Sequence, residues 1–186
     1  MQSSIILLSL MAAAASAATT KALHYAVPTT FKAAASNCTM PADFAVSSFE
    51  IYTDKTDASK NTLEFQYVDA DTDLYTMCRK NSTSKVTGSG GNRYPCENPH
   101  VFFIYQTTGI AGLTVIEEAC PGNSPAFEAS GLVKPELKCT DTYSGTTCLS
   151  EDSPMIGDFD SFEPAPPSSG SRKIRRTRLG ALRNSI

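Results

Sequence analysis

Residues 101–117 have the sequence VFFIYQTTGIAGLTVIE and predict a β-hairpin. Residues 101–105 are apolar on both faces, which is typical of a buried, central strand. Residues 109–112, GIAG, turn the chain into 113–117, and pairing of these two segments is the simplest arrangement. We therefore expect 101–105 to be a core strand.

Apolar residues at every second position predict further strands on either side of this hairpin. The alternation runs through 44–51 and 63–67 and indicates strands with one solvent-facing side. Residues 74–78, 131–139 and 156–162 are shorter candidates. Gly, Pro, Asn and Asp separate these segments, and no sustained helical period is present. We expect an all-β fold, a compact antiparallel β-barrel or sandwich with disulfides and little or no helix.

The N-terminus predicts export. An apolar run over 5–15 leads into the tripeptide ASA, which a signal peptidase can recognise, although no basic residue precedes Ile5. We interpret residues 1–17 as a signal peptide and expect a secreted, extracellular protein.

An even number of cysteines follows this leader. Outside the cytosol paired thiols stay oxidised, so the cysteines are best explained as a disulfide framework. They are Cys38, Cys78, Cys96, Cys120, Cys139 and Cys148.

The expected organisation is one β domain with polar ends. We expect a flexible N-terminal arm over 18–35 and a disulfide-stapled β domain over 36–164. A Pro/Ser/Gly linker and a basic, disordered tail follow over 165–186. The dibasic pairs of the tail fit a processing site, an anion-binding arm or an inert extension.

The charge is divided unevenly along the chain. The net charge is −3, but six basic residues lie in the tail, so the rest carries ten basic residues against nineteen acidic ones, or −9. An acidic body repels nucleic acid and anionic membranes. No apolar stretch after the leader approaches the ~18 residues of a membrane-spanning helix. We expect neither a nucleic-acid partner nor a membrane span.

Candidate metal ligands do not form a complete site. Residues 69–73, DADTD, resemble the start of a calcium loop, but Leu74 and Lys80 stand where an EF-hand needs glycine and glutamate. A solvated turn is the better interpretation. With only His24 and His100, a three-histidine site is excluded. We expect no metal and no cofactor.

Catalytic signals are equally weak. Glu117 and Glu118 are adjacent on a predicted strand, so their side chains should point to opposite faces and not to one substrate bond. A histidine triad could use only His100. We expect no catalytic residues. The alternatives are a carbohydrate-active hydrolase whose acids converge from separate loops, and a carrier of a small apolar ligand.

Two tripeptides fit the acceptor pattern for N-glycosylation, which indicates exposed loops in a secreted chain. They begin at Asn37 and Asn81. Asn81 is the stronger candidate, because the middle residue of the other tripeptide is Cys38, whose pairing could compete with glycosyl transfer.

Seven short motifs between residues 38 and 164 carry a family resemblance. They are CTMPADF at 38–44, YPC at 94–96, NPHVFFIY at 98–105, LTV at 113–115, ACPG at 119–122, TTC at 146–148 and GDF at 157–159. A chain with this pattern resembles the Alternaria major allergen-like family of small fungal secreted proteins.

The resemblance implies a compact β fold, export from a fungus, no established enzymatic mechanism, and a role as an allergen or as an effector or elicitor perceived by plants. It also implies dimerisation through an N-terminal cysteine, here Cys38, which pairing within one molecule would prevent, so both a monomer and a homodimer stay open. Of fifteen possible connectivities, we expect Cys78 with Cys96, Cys139 with Cys148 and Cys38 with Cys120.

These observations together predict a secreted fungal protein that acts by binding at a host or environmental surface, as an effector or elicitor with allergen-like character. Its partner is a host protein or a small ligand. The loop over 80–94 is the first region we expect to contact it, because loops on a rigid scaffold vary freely.

Overall fold

A computed structural model describes residues 21–35, 37–87 and 93–166. The expected signal peptide at 1–17 and the basic tail from 167 onward lie outside the described residues. Within the described part of the chain, no helix has the length and hydrophobicity needed to cross a bilayer.

Two antiparallel sheets make up the described chain. The first contains β1 (Asp43–Asp54), β2 (Thr62–Asp69), β3 (Leu74–Lys80), β8 (Leu137–Asp141), β9 (Gly145–Ser150) and β10 (Met155–Asp158). The second contains β4 (Tyr94–Pro95), β5 (Val101–Gln106), β6 (Gly112–Ala119), β7 (Phe127–Val133) and β11 (Ser161–Pro164).

The strand orders are β3-β2-β1-β9-β8 in the first sheet, with β10 also paired to β1, and β11-β7-β6-β5-β4 in the second. Helix is limited to α1 (Thr29–Ala34) and a 3₁₀ turn (Ala58–Lys60). The all-β prediction is therefore confirmed, and of the two expected architectures the strands adopt the sandwich.

The two sheets pack face to face around one core. Phe65 of β2 meets Phe103 of β5 edge to face, with ring centroids 5.1 Å apart. Burying a side chain of this size contributes about 1.5–3 kcal/mol. Every second residue of β2 is buried, which is the physical origin of the alternation in the sequence.

The predicted hairpin is confirmed, but its first strand is not central. β5 pairs with β6 from Val101 opposite Glu117 to Gln106 opposite Gly112. β6 lies in the middle of the second sheet, whereas β5 lies beside the two-residue β4. On the outer side of β5, the Arg93 guanidinium covers the Phe102 ring and lies 3.9 Å from its centroid.

Three disulfides tie these elements together. Cys38–Cys120 links the N-terminal segment to the end of β6, across 82 positions of sequence. Cys78–Cys96 joins β3 of the first sheet to the residue after β4 of the second. Cys139–Cys148 connects directly opposed residues of β8 and β9.

Residues 21–35 pack on the second sheet, which differs from the loose arm expected over 18–35. The Tyr25 ring stacks on Phe162 at 5.1 Å, and its hydroxyl donates a hydrogen bond to the Pro41 carbonyl. Phe31 of α1 is 1% exposed and lies against Phe127. The contacts come from isolated aromatic side chains, which is why the sequence of this segment shows no periodic apolar pattern.

Candidate binding surface

A row of apolar side chains crosses the outer face of the first sheet. The register places Ile156 of β10 opposite Ala45 of β1, Ala45 opposite Val68 of β2, and Val68 opposite Tyr75 of β3. Because neighbouring strands lie ~4.8 Å apart, the four positions span about 14 Å. We call these four residues the outer row.

The outer row points away from the core. Phe44 and Val46, on either side of Ala45, are fully buried, so strand alternation turns Ala45 outward. Tyr75 is 61% exposed and Ile156 is 65% exposed. Scattered exposed apolar residues are common on protein surfaces, but here two large ones are joined by two smaller ones into a continuous strip on a rigid sheet.

Carboxylates border one side of the outer row. Asp43 of β1 is paired with Asp158 of β10. Each lies two residues from the outer-row residue of its own strand, so both carboxylates lie on the same face as the outer row. The ammonium group of Lys21 lies 2.8 Å from the Asp43 carboxylate. On the other side, the paired Ser47 and Gln66 are uncharged. One border of the strip therefore carries two carboxylates, of which Asp43 is paired with Lys21, and the other border is uncharged.

Glu117 of β6 is a buried carboxyl between the two sheets. It is 1% exposed, and its two oxygens accept hydrogen bonds from the Tyr67 hydroxyl of β2 and from Thr72 Oγ1, the latter at 2.9 Å. Burial raises the pKa of Glu117 to about 7, although the two hydrogen bonds act to lower it. These contacts fasten the β2–β3 turn to the second sheet.

The predicted turn at 69–73 connects β2 to β3, but its first carboxyl is not solvated. Asp69 has no exposed surface. Its Oδ1 accepts hydrogen bonds from the backbone N–H groups of Asp71 and Thr72 at 2.7 and 3.1 Å, and burial raises its pKa. The buried Asp69 carboxyl thus accepts the hydrogen bonds of two backbone amides of the turn. In the described residues, no group of three or more His, Cys, Asp or Glu is placed to hold a metal ion.

A cavity of about 360 Å³ lies beside this network and is lined by Glu117 and Glu118 among others. Glu117 contacts Tyr67 of the first sheet, whereas Glu118 Oε2 lies 2.8 Å from Nδ1 of His100. The two glutamate side chains therefore leave the strand on opposite faces, as predicted. Asp69 is not among the described residues that line the cavity. Glu117 uses both of its oxygens within the protein, which differs from the two accessible carboxyls that glycoside hydrolysis requires.

Both candidate glycosylation residues, Asn37 and Asn81, are exposed. Asn81 follows β3 directly, and it also lines a second cavity, of about 410 Å³. The apolar residues in the lining of this cavity include Leu63 and Tyr105.

The sequence patterns did not reveal the outer row. Its members come from four strands, and their alignment depends on a register that no single segment encodes. A signal was present in residues 74–78, LYTMC, where Tyr75 breaks the alternation by placing an apolar residue on the solvent-facing side.

Known proteins resemble this chain in structure and not in sequence. No protein-family model and no curated protein matches the chain. Two solved structures of the Alternaria alternata allergen Alt a 1 are similar to it, both at 14% sequence identity over 68% of this chain. One is covered over 92% of its length with a TM-score of 0.47, the other over 96% with a TM-score of 0.45. They are structures of the allergen after which the family suggested by the sequence motifs is named.

Proposed function

We propose that the protein is exported by residues 1–17 and acts outside the cell as a non-catalytic binding protein, an effector or elicitor with allergen-like character. The outer row is the observation that carries this proposal, because it presents exposed apolar side chains on a sheet that cannot easily rearrange. Three disulfides support an extracellular role, since such bonds persist in oxidising surroundings. The internal hydrogen bonds of Glu117 support a structural role for that carboxyl.

The chemistry around the outer row favours a protein partner that is apolar and basic. Tyr75 is of a residue type that is enriched at interface hot spots, and Ile156 adds apolar area on the same face. Asp158 and the Lys21-paired Asp43 border them, and the chain outside its tail carries a charge of −9. A basic rim on the partner would complement this border and speed association.

Photo-crosslinking tests the proposed surface. The full chain, expressed with its own leader and recovered from culture medium, would carry benzoylphenylalanine in place of Tyr75 and be irradiated in plant apoplastic fluid. We expect a discrete crosslinked species that an excess of unlabelled wild-type protein abolishes. The Ile156→Ser variant should compete roughly tenfold less well, because losing a buried side chain of this size costs about 1.5 kcal/mol or more.

Two matched variants act as controls. Benzoylphenylalanine at Ile110, which is 71% exposed at the turn between β5 and β6, should give no such species. Glu117→Gln should compete like wild type, because Glu117 is buried between the sheets and is not part of the outer row. Equal crosslinking at positions 75 and 110, or full competition by Ile156→Ser, would contradict the surface. Absence of the protein from the medium would contradict its export.

A further inference from the structure

The cavity beside Asn81 is an apolar groove next to a modification acceptor. Its volume of about 410 Å³ lies within the range of small-molecule sites. Tyr52, Leu63 and Tyr105 line it together with Asn81. Because Asn81 belongs to the lining, a group attached to its side chain would begin at the groove.

In the folded loop, a sugar on the amide nitrogen of Asn81 would break none of the hydrogen bonds that its side chain makes. Asn81 Oδ1 accepts hydrogen bonds from the backbone N–H of Thr83 at 2.9 Å, from Thr83 Oγ1 at 2.8 Å and from Ser84 Oγ at 3.2 Å. All of these bonds use the side-chain oxygen. In the described part of the chain, the amide nitrogen, which would carry a sugar, has no hydrogen bond.

We propose that Asn81 carries an N-linked glycan and that the first N-acetylglucosamine of this glycan binds in the groove. The acetamide methyl and the C–H face of this sugar would pack on the rings of Tyr52 and Tyr105, while its hydroxyls stay in water. The inference rests on the proposed export, because the glycosyl donor is found in the secretory pathway. The groove is then the seat of a covalent group and not an open site for a free ligand.

The chemistry is a group transfer without oxidation or reduction. The amide nitrogen of Asn81 forms a bond to C1 of an oligosaccharide activated as a lipid diphosphate. The bond between C1 and the diphosphate oxygen breaks, and the amide gives up one proton.

Occupancy is tested by intact mass. The chain would be secreted from yeast with a foreign leader, so that failure of its own leader does not affect the result. We expect a mass excess that peptide-N-glycosidase F removes and that Asn81→Gln abolishes. Asn37→Gln, at the acceptor whose neighbour Cys38 is in a disulfide, should leave the excess unchanged. Unmodified Asn81 in a host that glycosylates a reference protein would overturn the proposal.

Binding of the first sugar in the groove is tested separately, by NMR and by thermal denaturation. After trimming to one N-acetylglucosamine, the acetamide methyl should show an upfield proton shift from the tyrosine rings. The thermal midpoint should exceed that of Asn81→Gln by about 3 °C. Tyr105→Leu should remove most of the methyl shift, and Tyr143→Leu, at a fully exposed side chain, should not. A methyl signal at the position of the free sugar would overturn the seating.

Discussion

Glu117 connects the two sheets through a contact that spans fifty positions of sequence, to the hydroxyl of Tyr67. The sequence predicted that Glu117 and Glu118 face opposite sides of one strand, and this is confirmed. It could not predict which of the two is buried, because that depends on how one sheet packs on the other. The turn at 69–73 was also predicted from local sequence, but its first carboxyl, Asp69, is buried and not solvated, because its burial depends on tertiary packing.

The raised pKa of Glu117 predicts a pH dependence of stability. In the unfolded chain this carboxyl loses its proton near pH 4.5, and in the folded protein near pH 7. Between these pH values the folded state therefore binds more protons than the unfolded state. The stability that protonated Glu117 contributes is complete below pH 4.5 and is lost as the pH rises toward 7. We expect the free energy of unfolding to fall by about 3 kcal/mol across this range.

Urea denaturation at pH 4.5 and 7.5 measures this effect. Glu117→Gln should lose at least half of the pH dependence, because the amide does not titrate in this range. Burial also raises the pKa of Asp69, so the Asp69 carboxyl acts on stability in the same direction. An unchanged dependence in Glu117→Gln would show that another group is responsible.

Elements with a period of two were predictable, and the N-terminal segment was not. Alternation located β1 and β2 because one face of each is largely buried, whereas β8 and β9 lack such a face and were not recognised as a pair of strands. The packing of 21–35 depends on Tyr25 and Phe31, which are six positions apart and match neither a strand nor a helix pattern. The central position of β6 was also missed, since both strands of the hairpin are apolar and only the whole sheet distinguishes them.

The docking of α1 gives a second stability prediction. Phe31 lies within 5.1 Å of both the Phe127 and the Phe162 rings, measured between centroids. Phe31→Ala should destabilise the protein by about 3 kcal/mol in urea denaturation, because it leaves a cavity among these rings. Lys32→Ala, at the exposed neighbouring position of the same helix, should change stability by less than about 0.5 kcal/mol. Equal effects of the two substitutions would mean that α1 is not docked through Phe31.

At the scale of the whole molecule, the disulfides differ in how much of the unfolded chain they constrain. By the chain-entropy relation, the 82-residue separation of Cys38–Cys120 corresponds to about 4.5 kcal/mol. The nine-residue separation of Cys139–Cys148 corresponds to about 2.5 kcal/mol. Replacing the first pair with alanine should therefore lower stability more than replacing the second.

Chemical denaturation of the two double variants, Cys38→Ala/Cys120→Ala and Cys139→Ala/Cys148→Ala, checks this ranking. A larger loss from the second variant would indicate that native packing around β8 and β9, and not restriction of the unfolded chain, sets the contribution of these bonds.

The Cys38–Cys120 bond also determines whether proteolysis between residues 38 and 120 can separate the chain into two fragments. Strands β1, β2 and β3, which carry three of the four outer-row positions, lie between its two ends. A single backbone cut there would leave both fragments covalently joined, so the nicked molecule would keep its mass apart from one added water. Separation of the fragments would need a reductant as well as a protease, a combination that is scarce outside cells.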